Sequence, residues 1–131
     1  MSNRKFIIEG EGIPKTSAPI SQAVVAGNYC HISGQISVDL EGKFIDGTIE
    51  EQTKLAFNNL LAVLKETGFT INEIVFIDIA FTNLKDLEFV NPYFDSLFEV
   101  GRKPARTIYQ AVALPARAKI KVMAIAVKGN I

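Results

Sequence analysis

One cysteine in 131 residues, Cys30, leaves this chain without an internal disulfide framework. With a single histidine beside it, no Cys/His cluster exists to hold structural zinc, and neither a metal nor a cofactor is expected. A charge excess of either sign is missing too, since 14 Lys+Arg balance 14 Asp+Glu. No basic stripe is therefore evident to neutralise successive phosphates, and nucleic acid is not an expected partner. No apolar run reaches the roughly 18 residues of a membrane span. At the N-terminus Glu9 interrupts the few apolar residues after Lys5, so the long hydrophobic region of a signal peptide is absent. These absences point to a soluble chain at home in a reducing cytoplasm. Gly10, Gly12 and Gly27 form no phosphate-cradling loop, and no Ser/His/Asp constellation accompanies His31.

What the chain does have is an ordinary globular balance, 48% hydrophobic and 21% charged. Its length suits one domain over residues 1–131, without linker, internal repeat or low-complexity tract. Val24-Val25-Ala26 and Tyr29-Cys30-His31-Ile32-Ser33 flank Gly27-Asn28, a pair suited to a tight hairpin turn. Thr48 and Glu51 stand three apart like a capping box. Behind them Ile49, Ala56, Phe57, Leu60, Leu61 and Leu64 recur at helical spacing, and Gly68 offers a stop. Ile74 to Phe81 is a continuous apolar run broken only by Asp78, predicting a strand central in the sheet and covered on both faces. Leu87, Val90, Phe94, Leu97 and Phe98 give a second amphipathic pattern with Pro92 inside it. The conflict resolves if the regular helix starts there, with Asn91 as N-cap and Pro92 at the first helical position. Two long strand candidates close the chain, about 105–113 and 119–127, and are expected to pair as neighbours.

The order β-β-β-α-β-α-β-β is an α+β pattern, with two helices on one face of a mixed sheet. The strands look apolar on both faces, so the face without helices needs a cover. A second copy of the chain is the simplest one, which predicts a closed homo-oligomer with any site at a subunit boundary.

Arg106 carries a guanidinium into the apolar strand after Pro104. Such a planar fork can grip a carboxylate through two parallel charge-assisted hydrogen bonds, and the competing structural role is an ion pair with Asp or Glu at an interface. Ser33-Gly34 combines a hydroxyl with a position open to close backbone approach, although such pairs usually mark turns. Asn91 can serve its helix cap and also present an amide toward a cleft. His31 reads as a structural or solvent-facing histidine, and Cys30, on the opposite face with Ile32, as a small buried hydrophobe. Asp78 needs a partner that the sequence does not name.

Several segments, taken in order, carry a resemblance: Ala18-Pro19 with Gln22, Ile32-Ser33-Gly34-Gln35-Ile36, Val90-Asn91, Pro104-Ala105-Arg106, Leu114-Pro115 and Ala124-Ile125-Ala126-Val127. Together they make the chain similar to the RidA/YjgF family of imine deaminases over nearly its whole length. The resemblance implies a chorismate-mutase-like fold and a trimeric barrel-like assembly with clefts between subunits. In those clefts 2-imino and enamine acids are hydrolysed to 2-keto acids and ammonia. It places Arg106 as the substrate carboxylate clamp, with Ser33, Gly34 and Asn91 at the pocket.

Three positions depart from the family pattern. Members with deaminase character typically carry a glutamate where this chain has Met123, and commonly a tyrosine at Ile20 and a cysteine at Ile108. A thioether cannot act as a general base, and losing one typically forfeits about 10²- to 10⁴-fold in rate. Arg106 and Ile108 share a strand face, as do Lys121, Met123 and Ile125. Ile20, Ile108 and Met123 would then line an anion-binding cleft with a greasy wall. Two functions follow: a hydrolase acting weakly or with altered preference on imines of small carboxylic acids, or a non-catalytic module that binds such metabolites to regulate. Weakened activity goes with a larger or more apolar carboxylate ligand.

Overall fold

Gly27 and Asn28 turn the chain between two antiparallel strands, β2 (Ala23–Ala26) and β3 (Tyr29–Gln35). Gly27 has a φ of 59°, the left-handed value such a turn requires. The computed structural model describes residues 3–129. The remaining elements are β1 (Arg4–Ile7), α1 (Ile49–Thr67), β4 (Ile74–Phe81), α2 (Leu87–Leu97), β5 (Ala105–Gln110) and β6 (Ile120–Val127). The mixed sheet runs β1-β2-β3-β6-β4-β5, antiparallel throughout except for the parallel pair β4/β5.

Helix α1 begins as its sequence predicts. Thr48 Oγ1 accepts from Glu51 N–H at 3.1 Å while Glu51 Oε1 accepts from Thr48 N–H at 2.8 Å, satisfying two otherwise orphaned donors. It ends at Gly68, whose φ of 87° turns the chain out of the helix. Between these caps Ala56, Phe57, Leu60, Val63 and Leu64 face the sheet and are buried against Ile32, Ile77, Ile79, Val122 and Ala124. Each large side chain so removed from water contributes about 1.5–3 kcal/mol.

Two sequence expectations are corrected. Strands β5 and β6 are not neighbours, because β6 lies between β3 and β4 and β5 pairs only with β4. Alternate residues of β6 (Ile120, Val122, Ala124, Ala126) are fully buried, whereas Ala105, Thr107, Tyr109 and Gln110 of β5 are exposed. The more apolar strand therefore takes the centre and the more polar one the edge. Strand β4 is accordingly interior, one place in from that edge. The second correction concerns Asn91, which is no N-cap. Helix α2 starts at Leu87 after Asp86, and Pro92 lies inside it. A proline there removes the donor that would meet the Glu88 carbonyl, at a cost of ~3 kcal/mol. Burial of Val90 and Phe94 on the same helix offsets that loss. The partner of Asp78 is Thr107, whose hydroxyl donates to the carboxylate across the β4/β5 ladder.

Both helices cover one face. The other carries Phe6 and Tyr29, more than half exposed, with Phe76, Met123, Ile125 and Val127 half-buried. Among the described residues no helix is long and apolar enough to cross a membrane.

Candidate functional site

Arg106 enters from the edge strand on the helix-covered face, directly opposite buried Ile77. Its guanidinium lies 4.7 Å from the centre of the Phe94 ring, and its Nη1 donates to Asn91 Oδ1 at 2.9 Å. Asn91 and Phe94 are three apart on α2, so one helix face supplies both the acceptor and the aromatic platform. A cation over a ring gains roughly 0.5–1 kcal/mol at such partly exposed sites and is fixed in orientation. Among the described residues no carboxylate pairs with Arg106, although Glu88 and Asp95 line the same hollow of about 710 Å³. Asp95 instead holds Lys103 at 3.0 Å. Four of the five guanidinium N–H donors are thus left for a ligand or a neighbouring molecule.

A second pocket of about 310 Å³ opens beside β3, lined by Ile20, Gln22, Gly34, Phe44, Ala116 and Lys121 among others. The loop before β2 is fixed there by a buried amide chain. Gln35 Nε2 donates to Gln22 Oε1 at 2.9 Å, and Gln22 Nε2 donates to Pro14 O at 3.0 Å. Ser33 tightens the same attachment, its hydroxyl donating to Ser21 O at 2.6 Å and its N–H to Gln22 O at 2.9 Å. The register of β3 against β6 breaks between Ile32 and Gln35, which puts Ser33 and Gly34 in a bulge. Gly34 leaves room for the Lys121 stem that runs across its backbone: a Cβ there would lie 2.9 Å from Lys121 Cδ, and the stem would have to shift. On the far rim, Ala116 and Arg117 both adopt left-handed φ, 57° and 61°, a strain of roughly 1–2 kcal/mol per residue.

The sequence-predicted residues therefore form two groups. Asn91 and Arg106 share one hollow; Ile20 and Gly34 share the other, with Ser33 securing its wall. Met123 lies on the sheet face away from the helices, opposite Asp78, and Ile108 packs against the main core. Within one chain Arg106 and Met123 thus occupy opposite faces of the sheet. Three residues escaped the sequence reading: Phe94 under the guanidinium, Lys103 beside it, and Lys121 over Gly34. The i, i+3 spacing of Asn91 and Phe94 was the available signal for the first. Burial pushes the Cys30 thiol above its ordinary range, which excludes it as a ready thiolate nucleophile.

The sequence profile of the family described as Endoribonuclease L-PSP matches residues 11–128. The 2-iminobutanoate/2-iminopropanoate deaminase of Mus musculus is 34% identical over 124 residues, covering 94% of this chain and 91% of the mouse protein. A crystal structure from Thermotoga maritima, described as a putative endoribonuclease, superposes with a TM-score of 0.89 at 37% identity, covering 96% of this chain and 99% of that one. Escherichia coli TdcF with bound serine gives a TM-score of 0.86 at 28% identity, covering 95% and 100%. The α+β architecture, the order of the elements and these relatives agree, and the chain belongs to the Endoribonuclease L-PSP family, that of the RidA/YjgF imine deaminases.

Proposed function

We propose that this chain binds small carboxylate-bearing imines and keto acids at a site completed between copies of itself, and hydrolyses 2-imino acids slowly. The observation that carries this reading is Arg106, steered by Asn91 and Phe94 yet unpaired with any described carboxylate. The substrate carboxylate takes the free edge of the guanidinium in a bidentate pair. Water then adds to C2 of the C=N bond, and the resulting carbinolamine expels ammonia as the C=O forms: one imine and one water give one 2-keto acid and one ammonia. Holding the acid still supplies proximity, and the cation favours the developing polarity beside it.

Two considerations support an interfacial site. Arg106 and the Gly34 pocket face different sides of one sheet, and the apolar face bearing Met123 calls for a protein cover. A closed trimer brings the Arg106 edge of one copy to the Gly34 and Met123 side of the next. The murine relative's name as a 2-iminobutanoate/2-iminopropanoate deaminase and the serine bound to TdcF support this substrate class, acids with nitrogen on C2.

Met123 favours a second reading, a binding module without turnover, because it puts no carboxylate on β6 to hold water. Single-turnover hydrolysis of a freshly generated 2-imino acid separates the two. The enzyme reading requires wild type to exceed the buffer rate, Arg106→Ala to abolish that excess, and Met123→Glu to raise it by as much as about 10²-fold. Wild type equal to buffer, with tight binding of 2-keto acids, would leave the module. A monomeric mass by light scattering would defeat the interfacial site under either reading.

A further inference from the structure

Lys121 stands two residues before Met123 on β6, on the same face, and points its chain across Gly34 into the smaller pocket. Among the described residues the only other charged one lining that pocket is Lys15, which is already paired with Glu41 at 3.3 Å on the exposed surface. No acid lines the pocket, and no hydrogen bond or ion pair engages the Lys121 ammonium among the described residues. The residue is half-buried, its stem covered along the pocket wall. Its four-carbon stem lies where a Cβ on residue 34 would stand 2.9 Å from Cδ, a course that glycine leaves open. An unpaired ammonium beside the apolar walls of Ile20 and Phe44 has the chemistry to take an anion carried by a ligand.

We infer that Lys121 is a specificity-determining residue that selects a ligand with a second carboxylate, so that the preferred substrates are 2-imino dicarboxylic acids and the preferred bound products the matching 2-keto dicarboxylic acids. The inference rests on the proposed function, in which Arg106 of a neighbouring copy takes the first carboxylate. Lys121 then meets the acid at the far end of the side chain, while Ile20 and Phe44 border the methylenes between. The apolar ligand expected from Ile20, Ile108 and Met123 is thereby narrowed to one with an apolar middle and charged ends.

Isothermal calorimetry on the intact protein tests this with 2-ketoglutarate and its apolar isostere 2-keto-5-methylhexanoate, for wild type, Lys121→Met, Lys121→Arg and Arg106→Ala. Wild type should bind 2-ketoglutarate about tenfold more tightly, as one charge-assisted hydrogen bond provides. Lys121→Met should erase or reverse that preference, and Lys121→Arg should keep it. Equal or tighter binding of the isostere by wild type, a preference that survives Lys121→Met, or no binding of either acid overturns the inference. Arg106→Ala should weaken both acids alike; if it weakens neither while Lys121→Met still erases the preference, the role of Lys121 stands and the assignment of Arg106 falls.

Discussion

Asn91 and Arg106 are hydrogen-bonded in the larger hollow that joins α2 to the edge strand, and a double-mutant cycle on them tests the proposed carboxylate clamp. Under the proposed function, Arg106→Ala would remove two charge-assisted hydrogen bonds to a ligand carboxylate. After allowance for the half-exposure of the site, that loss is about 2–3 kcal/mol, or roughly 30- to 150-fold in the Kd of a 2-keto acid. Asn91→Ala leaves the cation over Phe94 but deletes the 2.9 Å bond that fixes its rotation. This variant should lose about 1 kcal/mol of binding, roughly fivefold. Asn91 acts only through Arg106, so the two effects should not add, and Asn91→Ala in the Arg106→Ala background should change nothing further. Calorimetric titration with 2-ketobutyrate reads all four corners of the cycle. Thermal unfolding supplies the control, since Asn91 is exposed inside a helix and Ala is the better helix former, so the single variant should not lower Tm. Full additivity, or an Arg106→Ala variant that binds like wild type, would refute the clamp.

Other expectations follow from the same structure. Thr48→Ala removes the Oγ1 that accepts from Glu51 N–H in the α1 capping box, leaving the backbone N–H of residue 48 to Glu51 Oε1, and should cost about 0.5–2 kcal/mol, read as a lower midpoint in urea at unchanged m. Glu73 accepts from Gly129 N–H and Thr70 N–H, each at 2.9 Å, and these bonds hold its carboxyl below the ordinary value of 4.5, with Lys128 assisting at 3.8 Å. Its contribution to stability is therefore fully present above about pH 4.5 and is lost as pH falls through the lower folded-state value. Glu73→Gln should flatten that acid limb in denaturant titrations between pH 5 and 3, whereas an unchanged limb would show that those bonds do not survive in solution.

Local patterns were legible where local chemistry decides them. Gly27-Asn28 marked the hairpin, Thr48 and Glu51 marked the start of α1, and Gly68 its end, because turn angles and orphaned N–H groups are satisfied by residues a few places apart. Pro92 misled for the same reason. Its local cost argued for a helix starting there, while the decisive term was burial of Val90 and Phe94 against distant residues. Strand order was also beyond local reading. Neighbours in sequence usually pair, yet the alternately buried β6 gains more between β3 and β4 than beside the polar edge strand β5.

By itself the sequence determined the α+β pattern, the family, and Arg106 as a guanidinium with no evident local counter-charge. Only the tertiary structure decided what surrounds it. The parallel pairing of β4 and β5 turns Arg106 toward α2, where Phe94 and Asn91 aim it, while the period-two pleat turns Met123 and Lys121 to the opposite face. A strand residue's face is fixed by register across partners far away in the chain, and that information resides in the assembled sheet.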